Sequence, residues 1–377
     1  MNVDALITGA GEAPYTRHTS PEMTTERLLA EAMRRALTSA RIAPGDVDGI
    51  GVASFTLAPD HVADLAWRLG LRVRWLMQDT NGGASALNML QHAMRVVEAG
   101  DAGTIVLLAG DRFDRESFMQ LVATYNRATV EYLAPIPTGG PNALFAMLTR
   151  RHMRKHGLER QDYGHLVLAQ RRSAALNPGA VYRDPLTMED YLEAPIVAEP
   201  LGRYDCVPVV SGADAIVVRS GEPEGVAVRS LAGLHNPDGQ DGDGLQTGLA
   251  DVANDLWAAA GYGSDDLDAV YVYDDYPAMV VVQLADLGFI ADGDVVRFLR
   301  ERVGGHEMPL NTSGGQLSAG QAGAAGGMHG LVEAVTQLLG RAGERQIEGA
   351  RRAVVTGYGM VLYRYGACAN AAVLERV

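Results

Sequence analysis

Apolar and polar positions change period along the first fifty residues. Ala5–Gly9 is a short apolar run that ends at glycine, as in a strand, whereas Thr24–Ser39 repeats apolar side chains every three to four residues, as on one helix face. A turn rich in glycine and aspartate, residues 43–49, leads into a second strand that ends near Val52. This order of strand, helix, turn and strand predicts an α/β protein.

The same pattern of helix, aspartate-rich turn and strand returns 220 residues later. A helical pattern over Leu249–Ala260 leads into another aspartate-rich turn and strand, in which Asp266 and Asp268 take the places of Asp46 and Asp48. Self-similarity at a fixed separation predicts two copies of one structural unit.

A second recurring sequence pattern supports the duplication. Asn81–Ser85 opens a helix that is followed by the apolar strand Thr104–Ala109. Asn311–Gly315 likewise precedes a glycine-rich helix start, a helix and the strand Ala353–Thr356. We therefore predict two β-α-β-loop-α-β units, with parallel or mixed sheets and helices between and around them.

The repeat also predicts the domain organisation. Residues 1–220 form the first half and residues 221–377 the second, and the glycine- and proline-rich stretch Ser220–Gly225 has the composition of a linker. Residues from about 111 to 200 have no counterpart in the second half. Insertions on a duplicated scaffold usually carry specificity, so this segment is predicted to be an inserted substrate-binding domain.

Composition excludes several classes of protein. The net charge of −14 repels nucleic-acid phosphates, and no apolar stretch approaches the roughly 20 residues of a membrane span. The N-terminus lacks the basic region of a secretory signal, so a cytoplasmic location is expected. Cys206 and Cys368 provide neither a disulfide framework nor a thiolate zinc site, and no metal site is predicted. The single lysine, Lys155, lies in a charged run typical of a solvated helix face, which argues against Schiff-base chemistry.

Three motifs complete a recognisable pattern. Gly9–Tyr15, Pro200–Pro208 and the Asn-x-x-Gly-Gly element at Asn311–Gly315 lie in this order along the duplicated units. The pattern resembles the thiolase superfamily, and in particular its sterol-carrier type, over essentially the whole chain. This resemblance implies a thiolase fold, in which duplicated βαβαβ halves form five layers in the order αβαβα and carry an inserted loop domain.

The catalytic residues of thiolases are missing from the matching positions. The acyl-accepting cysteine falls on Gly83, 17 residues before Gly100, and the histidine of the Gly-His-Pro motif falls on Gln321. The second cysteine falls on Tyr358, and the motif that helps form the oxyanion site matches Tyr273–Tyr276. Without a thiolate at these positions, an acyl-cysteine intermediate is not expected.

Two residues remain as alternative nucleophiles. Ser85 has no adjacent base in the sequence and is expected to satisfy backbone donors at a helix start. Cys368 lies ten residues after the position of the lost cysteine, in an alanine-rich strand pattern typical of a buried cysteine. We therefore expect alkylation of both cysteines to leave the activity intact.

A scaffold that polarises a thioester carbonyl is implied by the retained motifs. Glycine-rich helix starts at Gly83 and Gly323 expose N–H groups, and Ser85 and Asn311 lie beside them as further substrate-binding candidates. In the insertion, three arginines are candidates for binding a coenzyme A phosphate, although a solvated helix face also explains them. These are Arg150, Arg151 and Arg154.

Some thiolase-like proteins of actinobacterial steroid side-chain degradation lack the same residues. They cleave β-hydroxyacyl-CoA esters in a retro-aldol reaction, use tyrosines, and work with a small partner that carries a zinc ribbon and an OB-fold. The resemblance implies a coenzyme A thioester as substrate, no covalently bound cofactor, such a partner, and a homodimer with the strand after the Gly83 helix at its interface. The implied catalytic residues are Tyr358, Tyr273, Asp274, Tyr276 and Gln321, with Arg364 or His306 as the group that adjusts a tyrosine pKa.

Tyr358 takes the position of the acid/base cysteine, so Tyr358→Phe is expected to lower turnover by about 10²–10⁴-fold. Asp274 and Asp275 are adjacent, and in a strand their side chains would face opposite sides, so at most one is expected at the site.

Two other functions remain open. One is an acyltransferase or condensing enzyme without a cysteine nucleophile, and the other is a non-catalytic acyl-CoA-binding subunit. Acyl labelling of the protein indicates the transferase, stoichiometric binding without turnover indicates the binding subunit, and CoA-ester cleavage that resists iodoacetamide indicates the lyase.

Overall fold

The computed structural model describes residues 5–136, 140–237, 242–290, 292–362 and 365–377. The strands are β1 (Ala5–Thr16), β2 (Gly49–Ala53), β3 (Trp75–Asp79), β4 (Thr104–Asp111), β5 (Ile196–Ala198), β6 (Leu201–Gly202), β7 (Ser211–Ser220), β8 (Val226–His235), β9 (Ala269–Tyr271), β10 (Arg352–Leu362) and β11 (Tyr365–Arg376). The α-helices are α1 (Thr25–Ala40), α2 (Val62–Arg68), α3 (Ser85–Ala99), α4 (Arg115–Thr124), α5 (Pro141–His156), α6 (Arg160–Ala175), α7 (Met188–Glu193), α8 (Leu249–Ala260), α9 (Pro277–Asp286), α10 (Val295–Arg297), α11 (Gly315–Ala319) and α12 (Gly326–Leu338).

Nine strands form one mixed sheet in the order β3-β2-β4-β7-β1-β8-β11-β10-β9. The first five strands belong to the first half of the chain and the other four to the second, and β1 meets β8 at a single residue pair, Ile7 with Val226. In each half the parallel strands are those expected from the repeat, since β2 pairs parallel with β3 and β4 while β9 pairs parallel with β10. The predicted α/β class is confirmed.

Two central helices lie between the strands of the two halves. Helices α3 and α12 pack against each other, and each contacts strands of both halves through one apolar cluster. Helices α1 and α2 cover the other face of the first half, and α8 and α9 cover that of the second. This arrangement gives the five layers αβαβα.

The internal duplication is visible in the hydrogen bonds. The carboxylate of Asp48 accepts from the two N–H groups at the start of β4, at 2.8–3.0 Å. Asp268, its counterpart in the repeat, accepts from the N–H groups of Arg351 and Arg352 at the start of β10, at 2.8 and 2.9 Å. Both aspartates therefore tie the turn before one strand to the start of its neighbour.

Strand β4 occupies an interior position of the sheet. It lies between β2 and β7 and all its residues are buried, so the prediction that this strand forms a subunit interface is wrong. A strand with neighbours on both sides has no backbone groups left for another chain. The sheet edge of the first half is β3, whose side chains alternate between partly buried and exposed.

Along the chain, helices α4 to α7 and strands β5 and β6 follow β4 and precede β7, within the segment predicted as an insertion. Helices α5 and α6 pack on α9 and α11 of the second half. Strand β7 ends at Ser220 and β8 begins at Val226, while the division into domains at this point stays a prediction. No helix among the described residues is long and apolar enough to cross a membrane.

Candidate active site

A cavity of about 470 Å³ opens where the starts of α3 and α12 meet the insertion. Its walls are mainly apolar, with aromatic rings from both halves and from α4 and α5. A few polar side chains converge on it, as in most small-molecule sites. These are Tyr125, Asn142, Cys206, Tyr273, Asp275, Tyr276 and Gln321.

The loop after β9 supplies three of these polar groups. Strand β9 ends at Tyr271, so the segment 273–276 is not a strand, and the premise that alternation places Asp274 and Asp275 on opposite faces is wrong. Asn311 holds the loop, because its side-chain amide accepts from the N–H of Val272 at 2.9 Å and donates to the carbonyl of the same residue at 3.0 Å. Asn311 does not line the cavity, so the prediction that it binds substrate does not fit the structure. Its side chain instead positions the loop.

Gly83 and Gly323 both line the cavity, as predicted for the two helix starts. A Cβ atom at Gly83 would overlap the ring of Tyr273 and the carbonyl oxygen of Tyr358. A Cβ atom at Gly323, whose φ is 59°, would overlap the carboxylate of Asp111. The ring of Tyr273 therefore fills the volume into which a cysteine at position 83 would project.

The hydroxyl of Tyr273 accepts a hydrogen bond from Nε2 of Gln321 at 3.1 Å. Burial, followed by the negative charge of Asp275, raises the pKa of Tyr273 well above 10. The phenol therefore keeps its proton at neutral pH and can donate it to a bound ligand. Gln321 therefore contacts the phenol from the position that matches the basic imidazole in the thiolase pattern.

Asp275 is the acidic group of the cavity. Its Oδ1 atom is buried and has no hydrogen-bond partner within the described part of the chain. Burial, followed by the charge of Asp274, raises the pKa of Asp275 to about 8. Burial, followed by the charge of Asp275, raises the pKa of Tyr125 and of Tyr276, and all three side chains line the same cavity. A carboxyl group with such a pKa can accept a proton near neutral pH.

Asp274 points away from the cavity. Its carboxylate accepts from the N–H groups of Gln316 and Leu317 at the start of α11, at 2.9 and 3.2 Å, and from Nε2 of Gln170 at 2.8 Å. Gln316 accepts from the same Gln321 amide that contacts Tyr273, at 3.1 Å. The predicted catalytic role of Asp274 is therefore corrected to that of a positioning residue, with Asp275 as the acid on the cavity.

Tyr276 lines the cavity, but its hydroxyl is engaged. It donates to Oδ1 of Asn142 at 2.7 Å, and its ring stacks on Phe145 at a centroid distance of 4.4 Å. Burial, followed by the charge of Asp275, raises its pKa well above 10. Tyr276 therefore shapes the wall between α5 and the reactive loop.

Tyr358 is fully buried and is not among the residues that line the cavity. Its hydroxyl accepts from the N–H of Gly366, and its ring covers that glycine in the β10–β11 hairpin. The ring centroid lies 6.3 Å from that of Tyr273. The proton-transfer role predicted for Tyr358 fits the position of Tyr273 better.

The remaining predicted residues lie elsewhere. Ser85 is fully buried, does not line the cavity, and its Oγ makes no hydrogen bond to any described residue, so neither the nucleophile nor the capping prediction fits it. His306 is exposed, and its Nδ1 atom lies 3.4 Å from a nitrogen of Arg172. It does not line the cavity, so it is not placed to adjust the pKa of a tyrosine there. Arg364 lies outside the described residues.

The three arginines of α5 are exposed near its C-terminal end, whereas its N-terminal residues line the cavity. Arg150 lies 3.8 Å from Glu199, and Arg151 donates to the carbonyl of Asp243. Arg150 follows Asn142 by eight residues, or about 12 Å of helix. The roles of Arg150, Arg151 and Arg154 in binding a coenzyme A phosphate stay a prediction.

Sequence reasoning missed Tyr125 and Cys206 at the cavity. Tyr125 follows α4 in the insertion, where no repeat or motif marks it, and burial followed by the charge of Asp275 raises its pKa to about 12. Cys206 lies in the motif that ends the first half, but the family pattern assigns no chemistry to it.

The thiol groups carry a testable prediction. Burial, followed by the charges of Asp205 and Asp275, raises the pKa of Cys206 to about 12, and burial and Asp79 raise that of Cys368 to about 11. Neither is a thiolate at neutral pH, so the double variant Cys206→Ala/Cys368→Ala is expected to keep full turnover in a steady-state assay. Substitution is a sharper test than alkylation, because an adduct on Cys206 would fill the cavity. Loss of turnover in the double variant would show that a thiol takes part in the chemistry.

Comparison with known proteins agrees with this fold. The thiolase C-terminal domain-like family matches residues 235–374. The 17-hydroxy-3-oxo-4-pregnene-20-carboxyl-CoA lyase of Mycobacterium tuberculosis is 32% identical over 90% of this chain and 92% of its own length. The chain belongs to the thiolase superfamily.

Within the superfamily, similar proteins include enzymes named for carbon–carbon bond cleavage. The steroid side-chain-cleaving aldolase of Thermomonospora curvata is 29% identical over 89% of this chain and 90% of its own length. The solved structure of an Ltp2-ChsH2(DUF35) aldolase superposes with a TM-score of 0.83 at 27% identity, covering 99% of this chain and 97% of that one. The predicted resemblance to steroid side-chain aldolases of the thiolase superfamily is confirmed.

Proposed function

We propose that this protein cleaves a carbon–carbon bond of a β-hydroxyacyl-CoA thioester by a retro-aldol reaction, without an acyl-enzyme intermediate. The observation that carries the proposal is the pairing of Asp275 and Tyr273 in one apolar cavity, with the Tyr273 ring in the volume of the missing cysteine. The lyase and aldolase names of two relatives support the same reaction class.

In the proposed reaction Asp275 removes the proton of the β-hydroxyl group. The oxygen then forms a carbonyl, the bond between the α- and β-carbons breaks, and its electron pair passes to the thioester as an enolate. Tyr273 donates a hydrogen bond to the enolate oxygen, together with N–H groups at the helix starts beside Gly83 and Gly323. A proton then adds to the α-carbon, so the products are a ketone or aldehyde and a shortened acyl-CoA.

The substrate is proposed to be a steroid or lipid side chain carried on coenzyme A. The relatives' names supply the steroid and the CoA ester, and the cavity walls are apolar enough for such a group. A second apolar chamber of about 290 Å³, lined by α4 and the segment after it, shares Tyr125, Pro141 and Val361 with the cavity. The arginines at the end of α5 are proposed to hold a phosphate of coenzyme A.

A protein partner with a zinc ribbon and an OB-fold is also proposed. The name of the Ltp2-ChsH2(DUF35) aldolase, which joins two components, supports the presence of a partner. Turnover is expected only when this chain is purified together with its partner. Full turnover by the isolated chain would contradict the need for one.

The pH dependence of the reaction should report Asp275. Because only its deprotonated form accepts a proton, kcat/KM is expected to rise by about tenfold per pH unit and to level off above the pKa of about 8. The pKa of Tyr273 lies well above 10, so its ionisation does not end the plateau in the neutral range. A profile that is flat from about pH 6 to 9 would contradict Asp275 as the base.

We further propose a homodimer that pairs two copies of the edge strand β3. The edge is unpaired within the described residues, Leu76 on β3 is 48% exposed, and Trp67 on the neighbouring helix α2 is 78% exposed. Sedimentation is expected to give twice the chain mass of 40.1 kDa, and the charged variant Leu76→Arg is expected to shift the protein to the monomer. A wild-type protein that sediments only at 40.1 kDa at micromolar concentration would rule out the dimer.

Neither alternative function is favoured by an observation of the site. Ser85 does not line the cavity, and the thiol of Cys206 is held protonated, so an acyltransferase would lack its nucleophile. A non-catalytic subunit would not require an acid with a raised pKa beside a protonated phenol. Covalent acyl labelling of the protein would favour the acyltransferase. Binding of the CoA ester without turnover in the presence of the partner would favour the non-catalytic subunit.

A further inference from the structure

Two carboxylates lie directly opposite each other on the paired strands β1 and β7. Glu12 and Asp214 are register partners in this antiparallel pair. Asp214 is fully buried, and the side chain of Glu12 is 24% exposed. Like charges in directly opposite positions destabilise a sheet, and burial followed by the charge of Glu12 raises the pKa of Asp214 well above its usual value, so either a proton or a metal cation is expected to relieve the repulsion.

His329 of the central helix α12 completes the group. Its Nδ1 atom lies 3.4 Å from Oε2 of Glu12 and 3.9 Å from Oδ2 of Asp214. The three donor atoms lie within 4.8 Å of one another. Ligands that bind one ion at about 2.0–2.2 Å are themselves roughly 3–4 Å apart, so these side chains could close on a single ion after small rotations.

Neighbouring contacts orient His329 and Asp214 in the way that metal ligands are oriented. Nε2 of His329 lies 2.8 Å from Oγ of Ser313, and that oxygen also accepts from the N–H of Gly315. If Nε2 carries the imidazole proton and donates it to Ser313, the lone pair of Nδ1 faces the carboxylates. Tyr15 donates to Oδ2 of Asp214 at 2.8 Å.

One buried atom of the group is left without a partner. Oδ1 of Asp214 makes no hydrogen bond to any residue that the structure describes, whereas Nδ1 of His329 faces Oε2 of Glu12 at 3.4 Å. Buried polar atoms are normally satisfied, and an unsatisfied one needs an explanation. An ion bound between the side chains would engage Nδ1 and neutralise the two carboxylates.

We propose that Glu12, Asp214 and His329 bind one divalent transition-metal ion, Zn²⁺ or Mn²⁺. One such ion with two carboxylates and a neutral imidazole has no net charge. The mixed nitrogen and oxygen donors favour these ions over Mg²⁺, which prefers oxygen ligands and keeps its water. The ion would join β1, β7 and α12, and none of its ligands lines the cavity, so the proposal does not depend on the proposed function.

A proton is the competing cation at this site. Burial lowers the pKa of His329, but the hydrogen bond and charge of Glu12 and the charges of Asp214 and Asp274 outweigh it and raise the pKa to about 9. Without a metal ion, the imidazole would therefore hold a proton between the two acids. The two states differ in whether added Zn²⁺ or Mn²⁺ binds there.

Metal analysis of the purified protein tests the proposal. The protein, with any partner that co-purifies, is stripped with a chelator, exposed to a small excess of Zn²⁺ or Mn²⁺, desalted, and analysed by mass spectrometry of the elements. We expect Glu12→Gln to bind one ion per chain fewer than wild type, since Gln keeps the size of the partly exposed side chain. His152→Gln is the matched control and is expected to bind as wild type, because His152 is buried elsewhere, 2.7 Å from the Tyr163 hydroxyl.

Thermal unfolding gives a second readout. An ion that binds only the folded protein raises its unfolding temperature, so Zn²⁺ should stabilise wild type and His152→Gln but not Glu12→Gln. Asp214→Asn should behave like Glu12→Gln, and agreement of the two variants guards against a folding defect in one. Equal metal content in wild type and both variants, or an unchanged unfolding temperature of wild type in Zn²⁺, would overturn the proposal in favour of the protonated imidazole.

Discussion

Asp275→Asn is expected to lower turnover by about 10²–10⁴-fold while leaving the binding of the CoA ester intact. The change removes the group proposed to accept the β-hydroxyl proton and keeps the size of the side chain. Since the pKa of Asp275 is raised to about 8, the side chain is largely neutral at pH 7, and a neutral amide should be tolerated by the fold. Single-turnover kinetics with saturating substrate measure the loss directly.

Asp286→Asn is the matched control. Asp286 is another buried carboxyl group, with a pKa that burial raises to about 6, but it accepts hydrogen bonds from Thr247 and does not line the cavity. Its variant should keep normal turnover. If Asp275→Asn turned over as fast as wild type with the partner present, the base would have to be sought elsewhere, with Tyr125 as the next candidate on the cavity.

Tyr273→Phe is expected to cause a loss of similar size, about 10²–10⁴-fold in kcat, because the ring remains but its proton donor is removed. Gln321 still contacts Gln316, so the amide keeps a partner. The rise of kcat/KM with pH should persist in this variant, since Asp275 is unchanged. Steady-state kinetics across pH separate the two residues, because Asp275→Asn should abolish that rise.

Tyr358→Phe distinguishes the two neighbouring tyrosines. The sequence pattern alone assigns the large catalytic effect to Tyr358, whereas the structure favours Tyr273 on the cavity and Tyr358 as a packed aromatic. Removing the Tyr358 hydroxyl takes away the acceptor of the Gly366 N–H and should cost about 1–3 kcal/mol of unfolding free energy with little effect on turnover. A Tyr358→Phe variant that loses more turnover than Tyr273→Phe would reverse this assignment.

Much of the fold follows from repeated local patterns. The helix predicted over 24–39 is α1, whose start is capped by the side chain of Thr24, and the repeated aspartates Asp48 and Asp268 make equivalent contacts. Strand β1 runs beyond the predicted segment to Thr16, because pairing with β7 along its length outweighs two internal glycines. Hydrophobic period and repetition are local properties, so they can be recognised in a sequence.

The candidate site was only partly predictable, because its geometry depends on distant contacts. Gly83 and Gly323, which the sequence marks as glycine-rich helix starts, both line the cavity. The direction of Asp274 and Asp275 depends on how Asn311 and α11 hold the loop, which no local pattern indicates. Tyr125 comes from an insertion without a repeat, and the group of Glu12, Asp214 and His329 assembles from three distant segments. Such residues become visible only when the elements are placed together.

Analysis of the reaction products distinguishes retro-aldol cleavage from acyl transfer and from thioester hydrolysis. The protein, purified with its partner, is incubated in deuterated water with a β-hydroxyacyl-CoA, and both the small molecules and the intact protein are analysed by mass spectrometry. We expect equal amounts of a carbonyl product and a shortened acyl-CoA with one deuterium at its α-carbon, and no mass added to the protein. An acylated protein, or release of coenzyme A with the carbon chain intact, would contradict retro-aldol cleavage.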